Sequence, residues 1–231
     1  TSTVIIEEFI DGIELSIDAY VENGEVHVLC ISQVEKIPEK DKFVIFRTRC
    51  PVCISVDMME QIQKIIQDIA ETFGLKNSPM LVQMISDGRQ LYVIEFSART
   101  GGGEKFELIK NVTGVDVIDA VIELTLGNVP CIKLSKRKIQ YLTEFIYCKP
   151  GVFSGLVGFD ELLKEGIISK YFQFKQPGVI VDSVSNSGDR IAGFMVCSET
   201  KEKLLEKYKS AIRKIKVIDT EGNDMMRHDI V

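Results

Sequence analysis

Glu95, Ser97 and Arg99 stand at alternate positions of an apolar run, just before three consecutive glycines, Gly101, Gly102 and Gly103. Side chains of a strand alternate, so these three polar residues are expected on one face and Ile94, Phe96 and Ala98 on the other, toward a core. A carboxylate can hold Mg²⁺, and an arginine can bind phosphate oxygens bidentately. Consecutive glycines let backbone N–H groups come close to an anion. A metal ligand, a guanidinium and an open backbone within one short stretch point to phosphate chemistry. An edge strand with a polar face and a flexible turn would show the same residues.

The preceding residues, 81–93, read as two strands around an Asp87-Gly88 turn. A three-residue loop over 88–90 sets Gln83 opposite Glu95, whereas a two-residue loop at Asp87-Gly88 does not. In the first register an amide oxygen and a carboxylate face one point, a donor pair suited to a hard cation.

Gln83, Glu95, Ser97 and Arg99, with the helix that follows through Thr113-Gly114-Val115-Asp116, resemble the metal-binding end of an ATP-grasp domain. The resemblance covers residues 4–129 and is nearest to the large subunit of carbamoyl phosphate synthase and to biotin carboxylase-like ligases. That family carries Gln or Glu, then Glu-x-Asn-x-Arg on the neighbouring strand; Ser97 replaces the Asn, and a hydroxyl is a shorter and weaker metal ligand. The resemblance implies ATP with Mg²⁺ or Mn²⁺ as cofactors, Gln83, Glu95 and Ser97 as metal ligands, and Arg99 as the catalytic cation. It makes residues 7–10 (Glu7, Glu8, Phe9, Ile10) the hinge whose backbone pairs with adenine, and Glu14 the acceptor for the ribose hydroxyls. Gly101, Gly102 and Gly103, ahead of a helix start at 104–110, form a loop for phosphate or a substrate carboxylate.

The fold class expected is α+β: a C-terminal ATP-grasp lobe of antiparallel sheet and helices over 1–129, then a smaller α+β domain over 130–231. Residues 4–6 read as an apolar strand, and 14–20 as a strand with one wet face. Asn23-Gly24 marks a hairpin within 21–34, and 35–42 a charged loop. Residues 43–49 form a further strand, with Arg47 and Arg49 as surface cations or phosphate ligands. Residues 56–73 carry a helical stripe of Met59, Ile62, Ile65, Ile66, Ile69 and Phe73, closed by Gly74. A second helix spans 116–127, with Val117, Ile118, Val121, Ile122, Leu124 and Leu126 apolar. In the second domain, strands are expected at 140–148, 152–157 and 190–198, a helix at 200–214, and no chemical constellation.

The chain has 231 residues, 45% hydrophobic and 27% charged, with a net charge of −6. That is long enough for real cores, and the absence of a basic block argues against nucleic-acid binding. The lysines of 201–216 are interleaved with glutamates, as on a solvated helix face. No apolar run approaches a membrane span, which suggests a cytoplasmic protein. Of the six cysteines, Cys50 and Cys53 form an isolated C-x-x-C without a second pair, so reduced thiols are expected rather than zinc or a redox dithiol.

The family also has an N-terminal substrate domain, lysines and a glycine-rich loop ahead of the hinge, and this sequence starts at the hinge. The resemblance therefore implies the C-terminal part of a ligase that joins small carboxylate and amine substrates through an acyl phosphate. Its N-terminal half is then either fused or a separate chain, and this part alone is inactive. The alternative is a non-catalytic module of the same fold that docks a partner chain.

Overall fold

The computed structural model describes residues 3–38, 43–135 and 137–230. The expected loop at 35–42 therefore falls partly outside the described residues. In chain order the elements are β1 (Ile13–Glu22), β2 (Glu25–Lys36), β3 (Ile45–Cys50), α1 (Val56–Thr72), β4 (Ser78–Ser86), β5 (Leu91–Ser97), α2 (Lys105–Thr113) and α3 (Val117–Thr125). They continue with β6 (Gln140–Ile146), β7 (Gly151–Val157), α4 (Phe159–Lys164), β8 (Lys170–Gln173), β9 (Ile180–Val181), β10 (Ala192–Ser198), α5 (Lys201–Lys214) and β11 (Lys216–Asp219). Two compact units result, one of residues 1–33 with 52–137 and one of 34–51 with 138–231.

In the first unit neighbouring strands run β5-β4-β1-β2. Asn23 (φ 52°) and Gly24 (φ 90°) make the β1–β2 turn, both in the left-handed region that such hairpins demand. One sheet face buries Leu15, Ile17, Ala19, Val21, Met80, Val82 and Met84 against Ile62, Ile66 and Ala70 of α1. Ser55 caps α1 by accepting from Met58 N–H, and Gly74 (φ 63°) follows its end. The buried stripe of α1 is narrower than its apolar pattern: Met59 and Phe73 are exposed. Phe73 lies with its ring 4.5 Å from that of Phe96 on β5. In α3 only Val117 and Ala120 are buried, while Ile118 and Ile122 stay exposed, as does Leu126 just beyond it. Apolar spacing shows that a helix has a greasy face, not how much of it is covered.

In the second unit the strand order is β3-β6-β10-β8, with a separate sheet β11-β7-β9. Here the structure overturns the reading of Arg47 as a surface cation. β3 pairs with β6, setting Arg47 opposite Glu144. The Arg47 guanidinium donates to Glu144 at 2.6 and 3.2 Å and also bonds the Tyr208 hydroxyl of α5. It lies over the rings of Phe46 and Tyr208 at 4.8 and 4.7 Å. Arg49 is half-exposed and paired with Glu35. A cation enclosed this way is bound by its own fold and is not available to a phosphate.

Burial pushes the Glu144 carboxyl up to about 7, against the pull of Arg47. The group therefore binds its proton more tightly folded than unfolded. Its contribution to stability is complete below the unfolded carboxylate range and is lost as the pH rises through about 7. In Arg47→Met the opposing charge is gone and the carboxyl rises further. We expect a cost of about 3–5 kcal/mol by urea denaturation, as for other halved buried pairs. The gap to wild type should be smallest near about pH 5 and should widen toward about pH 8. A gap independent of pH would show that Glu144 does not titrate in this range.

Candidate functional site

The polar face of the first unit's sheet is built row by row. β1 and β4 pair antiparallel with Glu14 opposite Ile85, Ser16 opposite Gln83 and Asp18 opposite Leu81. β4 and β5 pair with Ile85 opposite Tyr92, Gln83 opposite Glu95 and Leu81 opposite Ser97. Directly opposed residues point to the same face. The rows are therefore Glu14–Ile85–Tyr92, Ser16–Gln83–Glu95 and Asp18–Leu81–Ser97. Gln83 is half-buried, Glu95 exposed and Ser97 half-buried. One carboxylate, one amide oxygen and one hydroxyl thus lie in adjacent rows, all hard oxygen donors.

The Gln83–Glu95 pairing does not come from a three-residue loop. Ser86 stands opposite Leu91, and the ladder shifts by one residue between Gln83 and Met84. A tighter turn and a β-bulge at Ile94 together give the register. The turn is held by the Asp87 carboxylate, which accepts from the backbone of Arg89 and Gln90 at 2.7 Å each. Those bonds hold the Asp87 carboxyl below its ordinary value. Tyr92 donates its hydroxyl to Asp87 at 3.1 Å. That bond raises the Tyr92 phenol, with a smaller push from the Glu8 carboxylate. The bulge also corrects an expectation. Ile94 is exposed rather than core-directed, and so is Ala98, which lies past the strand end, while Phe96 alone packs on the core.

Arg99 lies beyond β5, exposed, and donates to the Thr100 carbonyl at 2.9 Å. Of the glycines, Gly101 sits against Asp18: a Cβ there would be 2.5 Å from the Asp18 Oδ1. Gly102 is open, and Gly103 (φ 65°) and Glu104 (φ 64°) are both left-handed. Glu7, Glu8 and Phe9 are exposed and Ile10 half-buried, in a stretch without regular structure. The strand expected at 4–6 is absent, and Val4, Ile5 and Ile6 stand exposed. An apolar run becomes a strand only with an edge to pair with. β1 begins later, where Gly12 passes so close to β4 that a Cβ would lie 2.3 Å from the Ser86 carbonyl oxygen.

The expected wet face of 14–20 is another correction. Ser16, Asp18 and Tyr20 are all buried. Asp18, which the sequence reading left without a role, pairs with Lys105 Nζ at 3.4 Å and accepts from Cys30 Sγ at 3.6 Å. The signal was present in the polar alternation Glu14, Ser16, Asp18 and in a lysine one residue past the Gly-Gly-Gly-Glu run. Among the described residues no group of three or more His, Cys, Asp or Glu side chains is arranged to hold a metal by itself. None of the six cysteines, all among the described residues, is in a disulfide. No helix among the described residues is long and apolar enough to cross a membrane.

The architecture is a mixed α+β fold dominated by antiparallel sheet, matching an ATP-grasp fold. Residues 1–107 match the family described as ATP-grasp domain, and residues 144–219 that described as L-amino acid ligase C-terminal domain 2. The first part of the chain is therefore similar to the ATP-grasp domain family. Among solved structures, phosphoribosylglycinamide synthetase from Anaerococcus prevotii superposes with a TM-score of 0.81 at 23% identity, over 92% of this chain and 55% of that one. An L-amino acid ligase from Bacillus licheniformis gives 0.78 at 21% identity, over 92% and 55%. The biotin carboxylase domain of a Hydrogenobacter thermophilus 2-oxoglutarate carboxylase, solved with MgADP and bicarbonate, gives 0.67 at 14% identity, over 93% and 46%. The chain thus spans about half the length of the structures it matches. Comparison with curated proteins gives no significant match.

The close approach at Gly12 makes a local test. Gly12→Ala forces its methyl into the end of β4, beside the Glu14 row. The expected cost is about 1–3 kcal/mol, as for other overpacked sites, read as a lower urea midpoint with an unchanged slope. An unaltered midpoint would mean that the β1–β4 approach is looser than described here.

Proposed function

We propose that this chain is the C-terminal part of an ATP- and Mg²⁺-dependent ligase that activates a carboxylate as an acyl phosphate and passes it to an amine. The observation that carries this reading is the Ser16–Gln83–Glu95 row beside Ser97 on the exposed end of the sheet. These oxygen donors suit Mg²⁺, which takes few protein ligands and completes its shell with phosphates and water. Gln83 and Glu95, with Ser97, would hold it, and the bound ion would neutralise phosphate charge. Arg99, just beyond the end of the same strand, would offset charge developing on the transferred phosphoryl group. The backbone of Glu7, Glu8, Phe9 and Ile10 would meet the adenine edge and Glu14 the ribose. Residues 101–103 would cradle phosphate or the substrate carboxylate.

The match over 144–219 supports an amino acid as the substrate class. The sequence resemblance to carbamoyl phosphate synthase supports capture of the acyl phosphate by an amine. Coverage of about half of each matched structure supports a requirement for an N-terminal half, fused or separate.

The test is carboxylate-dependent ADP release, with hydroxylamine trapping of the acyl phosphate, in the protein joined to its N-terminal half. Glu95→Ala should lower turnover by about 10²-fold or more, the scale of losing a group that stabilises transition-state charge. The chain alone should show none. Full activity in Glu95→Ala, or brisk ATP consumption by the isolated chain, would refute the reading.

A further inference from the structure

One side chain, Asp18, lies against both Gly101 and Lys105. Asp18 is 2% exposed. Its Oδ2 takes Cys30 Sγ and faces Lys105 Nζ at 3.4 Å. Its Oδ1 accepts no hydrogen bond among the described residues and lies where a Gly101 Cβ would come to 2.5 Å. Between Gly101 and Lys105 the chain passes through two left-handed residues, Gly103 and Glu104. Such a conformation is uncommon for glutamate, and strain of this kind persists only where the surroundings over-determine it.

Lys105 is also in the wrong place for a helix. It is the first residue of α2, where the helix dipole disfavours a cation. Its side chain is buried together with that of Asp18, and a buried ion pair adds little net stability over an apolar pair of the same shape. Neither helix formation nor packing accounts for the two charges. Their placement does. Asp18 lies one row beyond Ser16–Gln83–Glu95 and level with Ser97, so whatever fixes the loop to Asp18 fixes it relative to those residues.

We infer that Asp18 is a positioning residue. Its carboxylate holds the end of the 101–105 loop through the charge of Lys105 and admits only a glycine at position 101, and so sets the place of the loop's backbone N–H groups beside the Glu95 row. The consequence for substrate rests on the ligase reading above; the anchoring itself does not.

The experiment uses the full chain and its variants Asp18→Asn, Lys105→Met, Lys105→Arg and Gly101→Ala, followed by amide hydrogen exchange. Asp18→Asn and Lys105→Met should each speed exchange over 101–107 by about tenfold, leaving β1, β4 and β5 unchanged, as for a local opening. Lys105→Arg, which keeps the charge, should retain protection. An increase spread evenly over the three strands would make the pair a packing element and overturn the inference, as would no increase at all. Should Asp18→Asn fail to fold, Gly101→Ala decides, because it leaves both charges in place: a loop exchanging as in wild type overturns the inference. In the protein joined to its N-terminal half, Asp18→Asn should raise KM for the carboxylate substrate about tenfold, with kcat and nucleotide affinity little changed. A fall in kcat at constant KM overturns the positioning role. If the wild-type protein turns nothing over, the ligase reading fails and the exchange result still decides the anchoring.

Discussion

Register is the constraint on which the polar face depends. Strand side chains have a period of two, so a one-residue slip of β4 against β1 would send Gln83 into the core and bring Val82 or Met84 to the wet side. The core forbids it. Leu15, Ile17, Ala19 and Val21 on β1 and Met80, Val82 and Met84 on β4 are packed against α1 on the opposite face. The placement of Gln83 opposite Glu95 is thus held in part by residues that never touch it. The bulge at Ile94 does the remaining work on β5: it inserts one residue, so that Tyr92 and Glu95 both come to the polar face although three positions separate them.

Much of this architecture could be read from residue order. The Asn23-Gly24 hairpin and helix α1 with its Gly74 stop follow from turn chemistry and apolar spacing. So does the alternation on β1, because these signals are local. What escaped was non-local. Ser16 and Asp18 looked solvent-facing because polar alternation cannot show what covers it, and Lys105 lies 87 positions along the chain from Asp18. Arg47 looked exposed for the same reason, since Glu144 and Tyr208 are far from it in sequence. The bulge escaped because an extra residue in a strand leaves no compositional mark when it is an ordinary isoleucine.

Among the described residues each unit buries one carboxylate with one cation, and the two are used differently. In Arg47–Glu144 both carboxylate oxygens accept, the guanidinium also reaches Tyr208 and Glu35, and two aromatic rings flank it. A pair so fully engaged resists substitution because removing either half strands the other in a medium that cannot solvate it. It joins β2, β3, β6 and α5.

Asp18 is the opposite case. Only one of its oxygens faces donors, and the other looks at Gly101, where a side chain cannot fit. An unused buried acceptor costs about 1–3 kcal/mol, and a left-handed glutamate adds more. A fold selected for stability alone would remove both, with an amide or apolar residue at position 18 and a glycine at position 104. That neither change is present, in a loop adjoining the Glu95 row, is what separates a segment held for its geometry from one held for its packing. The same reasoning explains why the loop's first glycine is required to avoid a clash and its third for conformation, whereas Gly102, where an added Cβ would meet nothing, is constrained by neither.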